Sequence, residues 1–114
     1  MSERVAIVGS RDYPRLTDVE DYMRALPTET LIVTGGARGV DLYAEHFARD
    51  RGMPLAILPA HWGVHGRSAG YRRNEWVVRL ADRVVAFWDG KSKGAKHTID
   101  IARRAGKPVE VITP

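Results

Sequence analysis

The stretch Thr30-Leu31-Ile32-Val33-Thr34-Gly35-Gly36-Ala37-Arg38-Gly39-Val40-Asp41-Leu42-Tyr43-Ala44-Glu45-His46-Phe47-Ala48-Arg49-Asp50-Arg51-Gly52 holds a strand, a loop and a helix in succession. Thr30–Thr34 is a short apolar run rich in β-branched residues, the composition of a buried strand. A glycine-rich loop follows it. Val40, Tyr43, Ala44, Phe47 and Ala48 then fall at i, i+3, i+4, i+7 and i+8, which is one face of a helix. Gly52 stops that helix, and Pro54 prevents its return.

Strand and helix signals alternate in the same way through the rest of the chain. Arg4–Val8 reads as a buried strand closed by Gly9-Ser10-Arg11. Thr17-Asp18-Val19-Glu20 has the spacing of a capping box, with Val19, Tyr22, Met23 and Leu26 on the helix face it opens and Pro27 at its end. Leu55–Leu58 is a third strand, and Pro59–Ser68 reads as irregular. The next helix has Arg73, Trp76, Val77, Leu80 and Ala81 on one face. Arg83–Trp88 is a fourth strand, closed by Asp89-Gly90. A polar glycine loop leads into a last helix, which Gly106 and Pro108 end before a fifth strand at Val109–Ile112.

This alternation predicts an α/β, Rossmann-like three-layer fold. The expected sheet is five-stranded and mainly parallel, in order 3-2-1-4-5, with helices on both faces and Val5–Val8 central. Ile7, Val33, Phe47, Trp76, Val85 and Ile101 are the expected core.

The 114 residues suit one domain, residues 1–114, and 44% hydrophobic with 28% charged residues is a globular composition. No apolar run approaches the roughly 18 residues of a membrane span. Met1-Ser2-Glu3-Arg4 leads straight into a strand, so no signal peptide is read. The expectation is a cytoplasmic protein without a membrane partner. The absence of cysteine excludes disulfides, thiolate zinc sites and cysteine nucleophiles. The net charge of +4 comes mainly from 14 arginines against 4 lysines. Arginine's planar fork suits phosphate and carboxylate, so this balance fits a nucleotide or nucleic-acid partner. It fits an ordinary solvated surface equally well.

Right-handed crossovers place every strand-to-helix loop on the carboxyl edge of the sheet, and the glycine-rich loops all follow strands. Four segments therefore converge. Gly9-Ser10-Arg11 is either a phosphate-binding turn or a tight turn with a solvent-facing arginine. Thr34 to Asp41 brings Gly35, Gly36, Arg38 and Gly39 to a helix start, where free N–H groups and the helix dipole attract an anion. It matches neither a Walker loop nor the dinucleotide fingerprint, and Asp41 either caps the helix or takes a ribose hydroxyl. The segment His61–Asn74 offers Trp62 or Tyr71 for stacking and Arg73 and Asn74 for the cleft, unless it is a mobile polar lid. His61 and His65 are four apart but sit among glycines without a nearby acid, so no metal site is assigned. The last segment follows the strand beside the topological switch point, where open parallel sheets bind ligands. It contributes Trp88, Asp89, Gly90, Ser92, Gly94, His97 and Thr98, or else is a solvated basic loop. Asp89, Glu75 and His97 are the candidate acid–base residues. No Gly-x-Ser-x-Gly elbow is present.

Gly9-Ser10-Arg11-Asp12, Thr34 to Asp41, Arg73-Asn74, and Ala86 to Gly90 with Gly94 and His97-Thr98-Ile99 together resemble the YspA-type branch of the SLOG superfamily. That superfamily includes DNA-processing protein A and the LONELY GUY phosphoribohydrolases. The resemblance covers nearly the whole chain in order. It implies a Rossmann-like domain that senses or processes a nucleotide-derived ligand, often as a homodimer. Trp76 and Val78 are apolar residues available for such an interface. The phosphoribohydrolases carry Pro-Gly-Gly-x-Gly-Thr-x-x-Glu; here Gly94 is kept, Ala95 replaces threonine and Thr98 replaces glutamate. Losing that acid weighs against hydrolysis of the LONELY GUY type. The leading expectation is binding of a small-molecule nucleotide derivative, and no cofactor is assigned beyond that possible ligand. The alternatives are cleavage of an N-glycosidic or phosphate bond in such a ligand, and binding of single-stranded nucleic acid.

Overall fold

The computed structural model describes residues 2–114. Its strands are β1 (Arg4–Gly9), β2 (Leu31–Thr34), β3 (Leu55–Ile57), β4 (Arg83–Phe87) and β5 (Val109–Ile112). Its helices are α1 (Thr17–Arg24), α2 (Val40–Asp50), α3 (Trp62–His65), α4 (Ala69–Leu80) and α5 (Lys93–Arg104). The five strands form one sheet in the order β3-β2-β1-β4-β5. All four pairings are parallel, including that of β5, which sets Val84 opposite Val109. The Rossmann-like architecture read from the alternation is the one observed.

The period-2 geometry of the strands sorts their side chains into two cores. Val5, Ile7, Val85 and Phe87 face α1 and α2, where they pack with Tyr13, Val19, Met23, Val40 and Ala44. Phe87 is the largest fully buried side chain, and Tyr13 and Tyr22 meet it edge to face at 5.8 and 6.2 Å. Ala6, Val8, Val84 and Ala86 face α4 and α5, against Val77, Val78, Ala81, Ile99 and Ala102. Because both faces are covered, the strands are almost continuously apolar. Lys107 closes the underside by donating from Nζ to the carbonyls of Val78, Arg79 and Ala81 at the end of α4.

Several expectations change. The capping box does not form: the residue before α1 is Leu16, which makes no side-chain cap. Glu20 instead pairs with Arg24 one turn on and accepts from the Tyr43 hydroxyl. Within Pro59–Ser68 the chain is not irregular throughout, since α3 and a 3₁₀ turn at Gly66–Ser68 occupy most of it. Trp76 is not core; it is 59% exposed, with the Arg79 guanidinium 5.1 Å from its ring centre. The helical period admits two overlapping stripes on α4, and the sheet takes the one with Val77, Val78 and Ala81. Val78 is therefore core and not available to a partner. Phe47 and Ile101 are half-buried at the margins of their layers, while Ile7, Val33 and Val85 are fully buried. Among the described residues no helix is long and apolar enough to cross a membrane.

Candidate functional site

A cleft of about 460 Å³ opens at the carboxyl edge of the sheet, where β1 and β4 lie side by side. That is the switch point, because the chain leaves β1 towards β2 on one side and β4 towards β5 on the other. The size is within the usual range for a small-molecule site. Val8 and Val77 lie among the residues that line it. Its polar wall comes from three strand-to-helix loops and three helices.

The loop after β1 contributes Gly9, Arg11 and Asp12. Gly9 has no room for a side chain: a Cβ there would lie 2.5 Å from the Phe87 carbonyl and 2.7 Å from Val40 Cγ2. Ser10 is fully buried and does not reach the cleft. Its N–H donates to the Phe87 carbonyl at 3.0 Å, and its hydroxyl accepts from the Asp89 N–H at 3.1 Å. Ser10 thus ties the end of β1 to the loop after β4.

The loop after β2 is organised from inside. Asp41 is buried in the first turn of α2, and its Oδ2 accepts from the N–H groups of Gly35 at 3.1 Å and Ala37 at 3.3 Å. Of the N–H groups expected to hold an external anion, that of Gly35 is therefore already taken. Burial raises the Asp41 carboxyl from 3.8 to about 6; the nearby Arg73 charge and the N–H groups of Ala37, Gly35 and Gly9 hold the rise back. Gly39 has φ +82°, and a Cβ there would stand 2.4 Å from the Arg11 carbonyl, so this glycine lets the first two loops touch. Gly36 and Arg38 are exposed and lie outside the cleft lining.

Helix α4 sends Arg73 and Asn74 into the cleft. Arg73 donates from Nη1 to the Gly35 carbonyl and from Nε to Asn74 Oδ1 at 3.0 Å. Desolvation lowers the Arg73 pKa, the Asp41 charge raises it and the Arg11 charge lowers it further. Asn74 Nδ2 is 3.1 Å from His97 Nδ1. Trp62 is 53% exposed and lies beside the start of α4, where a Cβ on Gly70 would meet its Cη2 at 3.2 Å and Arg73 Nη2 at 3.9 Å.

The loop after β4 contributes Asp89, Lys91 and Ser92, followed by Gly94, Ala95 and Thr98 of α5. Asp89 Oδ1 accepts from the Lys91 N–H at 2.8 Å and the Ser92 N–H at 2.9 Å. Those bonds, led by the one from Ser92, hold its carboxyl below the usual range. Ser92 caps α5 by accepting from the Ala95 N–H, and Thr98 donates back to the Gly94 carbonyl. No acid stands in the first turn of α5, and a Cβ on Gly94 would meet nothing within 4 Å. Gly90, at φ +83°, forms the turn outside the lining.

Trp88 turns into the core beneath α4 and α5 and donates from Nε1 to the Ser92 carbonyl at 3.0 Å, so its ring does not face the cleft. Of the three acid–base candidates only Asp89 lines the cleft; Glu75 is exposed on α4, and His97 faces a neighbouring depression. Among the described residues no group of three His, Asp or Glu side chains is placed to hold a metal ion.

Residues 3–65 match the pattern of the YspA, cpYpsA-related SLOG family. The chain belongs to that family. The Gene 61 protein of Mycobacterium phage D29 is 38% identical over 116 residues, a span that covers 93% of each chain. Two solved structures share the SLOG-type fold. DNA processing protein A from Streptococcus pneumoniae superposes with a TM-score of 0.80 at 22% identity, over 96% of this chain and 50% of that one. The Helicobacter pylori protein of the same name, which binds single-stranded DNA, gives a TM-score of 0.70 at 23% identity, over 96% of this chain and 64% of that one. This SLOG chain therefore spans only half to two thirds of those two structures.

Asp12, Ala37, Lys91 and Ala95 also line the SLOG cleft, although sequence reasoning did not single them out as site residues. Each neighbours a residue that was singled out. Loop residues follow no period, so their side-chain directions are set by the packing of one loop against the next.

Proposed function

We propose that the cleft binds a phosphate-bearing nucleotide derivative. The observation that carries this is the convergence of Arg11, Arg73 and Lys91 on a cleft at the switch point, beside an acid-free helix start. An arginine fork can grip phosphate oxygens, and the start of α5 at Lys93 and Gly94, ahead of the N–H that Ser92 caps, adds the positive end of a helix dipole. The phosphate seat in this reading is the start of α5 and not the β2–α2 loop, where the Gly35 and Ala37 N–H groups serve Asp41. In this reading Asp41, which also lines the cleft, takes a ribose hydroxyl. In this reading Trp62, which lies near Arg73 beside Gly70 and outside the cleft lining, stacks on a base.

The test is calorimetric titration with mononucleotides, dinucleotides and ADP-ribose derivatives, and with short single-stranded DNA at two salt concentrations. Binding of a small ligand, weakened by Arg11→Ala, supports the proposal. A second reading is single-stranded nucleic acid. It is favoured by the arginine surplus and by the fold shared with the single-stranded DNA-binding protein of Helicobacter pylori. If only the DNA binds, and its affinity collapses with salt, that second reading replaces the first.

A further inference from the structure

A second depression, of about 500 Å³, adjoins the cleft and is lined by Tyr71, Lys93, Lys96, His97 and Asp100. The two are separated by a wall of few residues. Its members are Asn74 and Gly94 on the cleft side and His97 on the other, with Asn74 Nδ2 3.1 Å from His97 Nδ1 and 3.4 Å from the Gly94 carbonyl. Gly94 is exposed and carries nothing above its backbone, so a chain of atoms can cross there.

The far side has the chemistry of a nucleotide seat. Tyr71 and His97 form an aromatic corner, with ring centres 4.5 Å apart and planes at 67°. Donation from Asn74 makes His97 Nδ1 the acceptor and leaves its proton on Nε2. Burial also lowers the His97 pKa, so the ring is an uncharged surface at neutral pH. Lys93 and Lys96 supply positive charge; Lys96 also reaches Asp100 at 2.9 Å in an exposed pair that a phosphate can compete with.

Resting on the reading of the cleft given above, we propose that this depression is a subsite for a second nucleoside unit. The ligand is then a phosphate-linked dinucleotide, free or as part of a single strand. Its first phosphate lies in the cleft, its linkage crosses at Gly94, and its second base packs on Tyr71 and His97.

The experiment titrates the protein with AMP, with 5′-phosphorylated diadenosine and with an eight-nucleotide deoxyadenosine strand. The same titrations are run on Lys96→Ala and Tyr71→Ala. The dinucleotide is expected to bind roughly tenfold tighter than AMP, the scale of one stacked base or one charged contact. Each variant should remove most of that advantage and leave the AMP affinity unchanged. A strand that binds tighter than the dinucleotide, with steep salt dependence, identifies the source as single-stranded nucleic acid; a strand that binds no tighter identifies a free dinucleotide. If AMP and the dinucleotide bind equally, or the advantage survives both variants, the subsite is refuted and the cleft reading stands. If neither AMP nor the dinucleotide binds, the cleft reading is itself refuted.

Discussion

Two glycine loops open helices on the same edge of the sheet, and they do opposite things. In the loop from Gly35 to Gly39 the helix brings its own carboxylate: Asp41 accepts from Gly35 and Ala37, and the loop is closed from within. In the loop from Asp89 to Gly94 the carboxylate comes before the helix. Asp89 accepts from Lys91 and Ser92 and shapes the turn, while the first turn of α5 contains no acid. The position of one aspartate relative to the helix start separates the two loops: the first supplies its own carboxylate to Gly35 and Ala37, and the second leaves the start of α5 without an acid. The glycines differ accordingly. Gly35 and Gly39 are glycines because neighbouring atoms occupy the place of a Cβ, whereas a Cβ on Gly94 would meet open space.

The sharpest break of this contrast is Gly39→Ala. It combines a positive φ with a contact 2.4 Å from the Arg11 carbonyl. The expected loss is about 3–5 kcal/mol in urea denaturation, adding overpacking to backbone strain. A loss under about 1 kcal/mol, the level of an ordinary surface change, would mean that the first two loops are not locked together.

Next is the pH dependence of the closed loop. Asp41 is displaced upwards from 3.8 to about 6 in the folded protein. The folded state therefore holds this proton over a pH range where the unfolded chain has released it. The stability due to this group is fully present below about pH 4 and is lost as pH rises through about 6, a change of roughly 3 kcal/mol. Asp41→Asn should flatten that part of the stability-against-pH curve measured by denaturation. Asp89, whose pKa is depressed, has the opposite sign: its contribution is present above the ordinary carboxylate range and falls as pH drops through its lowered value.

Arg11→Ala is exposed and sharpens the comparison through binding instead of folding. It should weaken a phosphate-bearing ligand by about 1.5–3 kcal/mol in calorimetry, the scale of a charged hydrogen bond. Its denaturation midpoint should stay near that of the native protein. The smallest effect is Gly94→Ala. With space for the Cβ and a gain in helix propensity, its stability should change by no more than about 1 kcal/mol. A larger loss would mean that the open loop is as tightly packed as the closed one.

Much of the fold was legible because buried strands are short apolar runs and helices have a period. Val5–Val8, Val84–Phe87 and the i, i+3, i+4 rows of α2 give the alternation, and the handedness of crossovers turns alternation into strand order. The edge that holds the cleft followed from the same rule. Period alone did not choose between Trp76 and Val78, because two stripes on α4 fit it equally and only the sheet selects one. It also did not show that Ser10 ties two strand ends together, or that Trp88 faces the core.

From residues alone came the Rossmann-like sheet, the side on which its loops gather, and the glycines and arginines that line up there. What only the tertiary structure decided is which of those groups are free. Asp41 lies six residues from Gly35 in the chain, Arg73 thirty-eight, and Ser10 seventy-nine from Asp89. A local pattern carries the conformational preferences of its own segment, whereas a hydrogen bond is settled by which distant donor or acceptor packing brings within 3 Å. That is why the loop that looked most like an anion site turned out to be filled by its own aspartate.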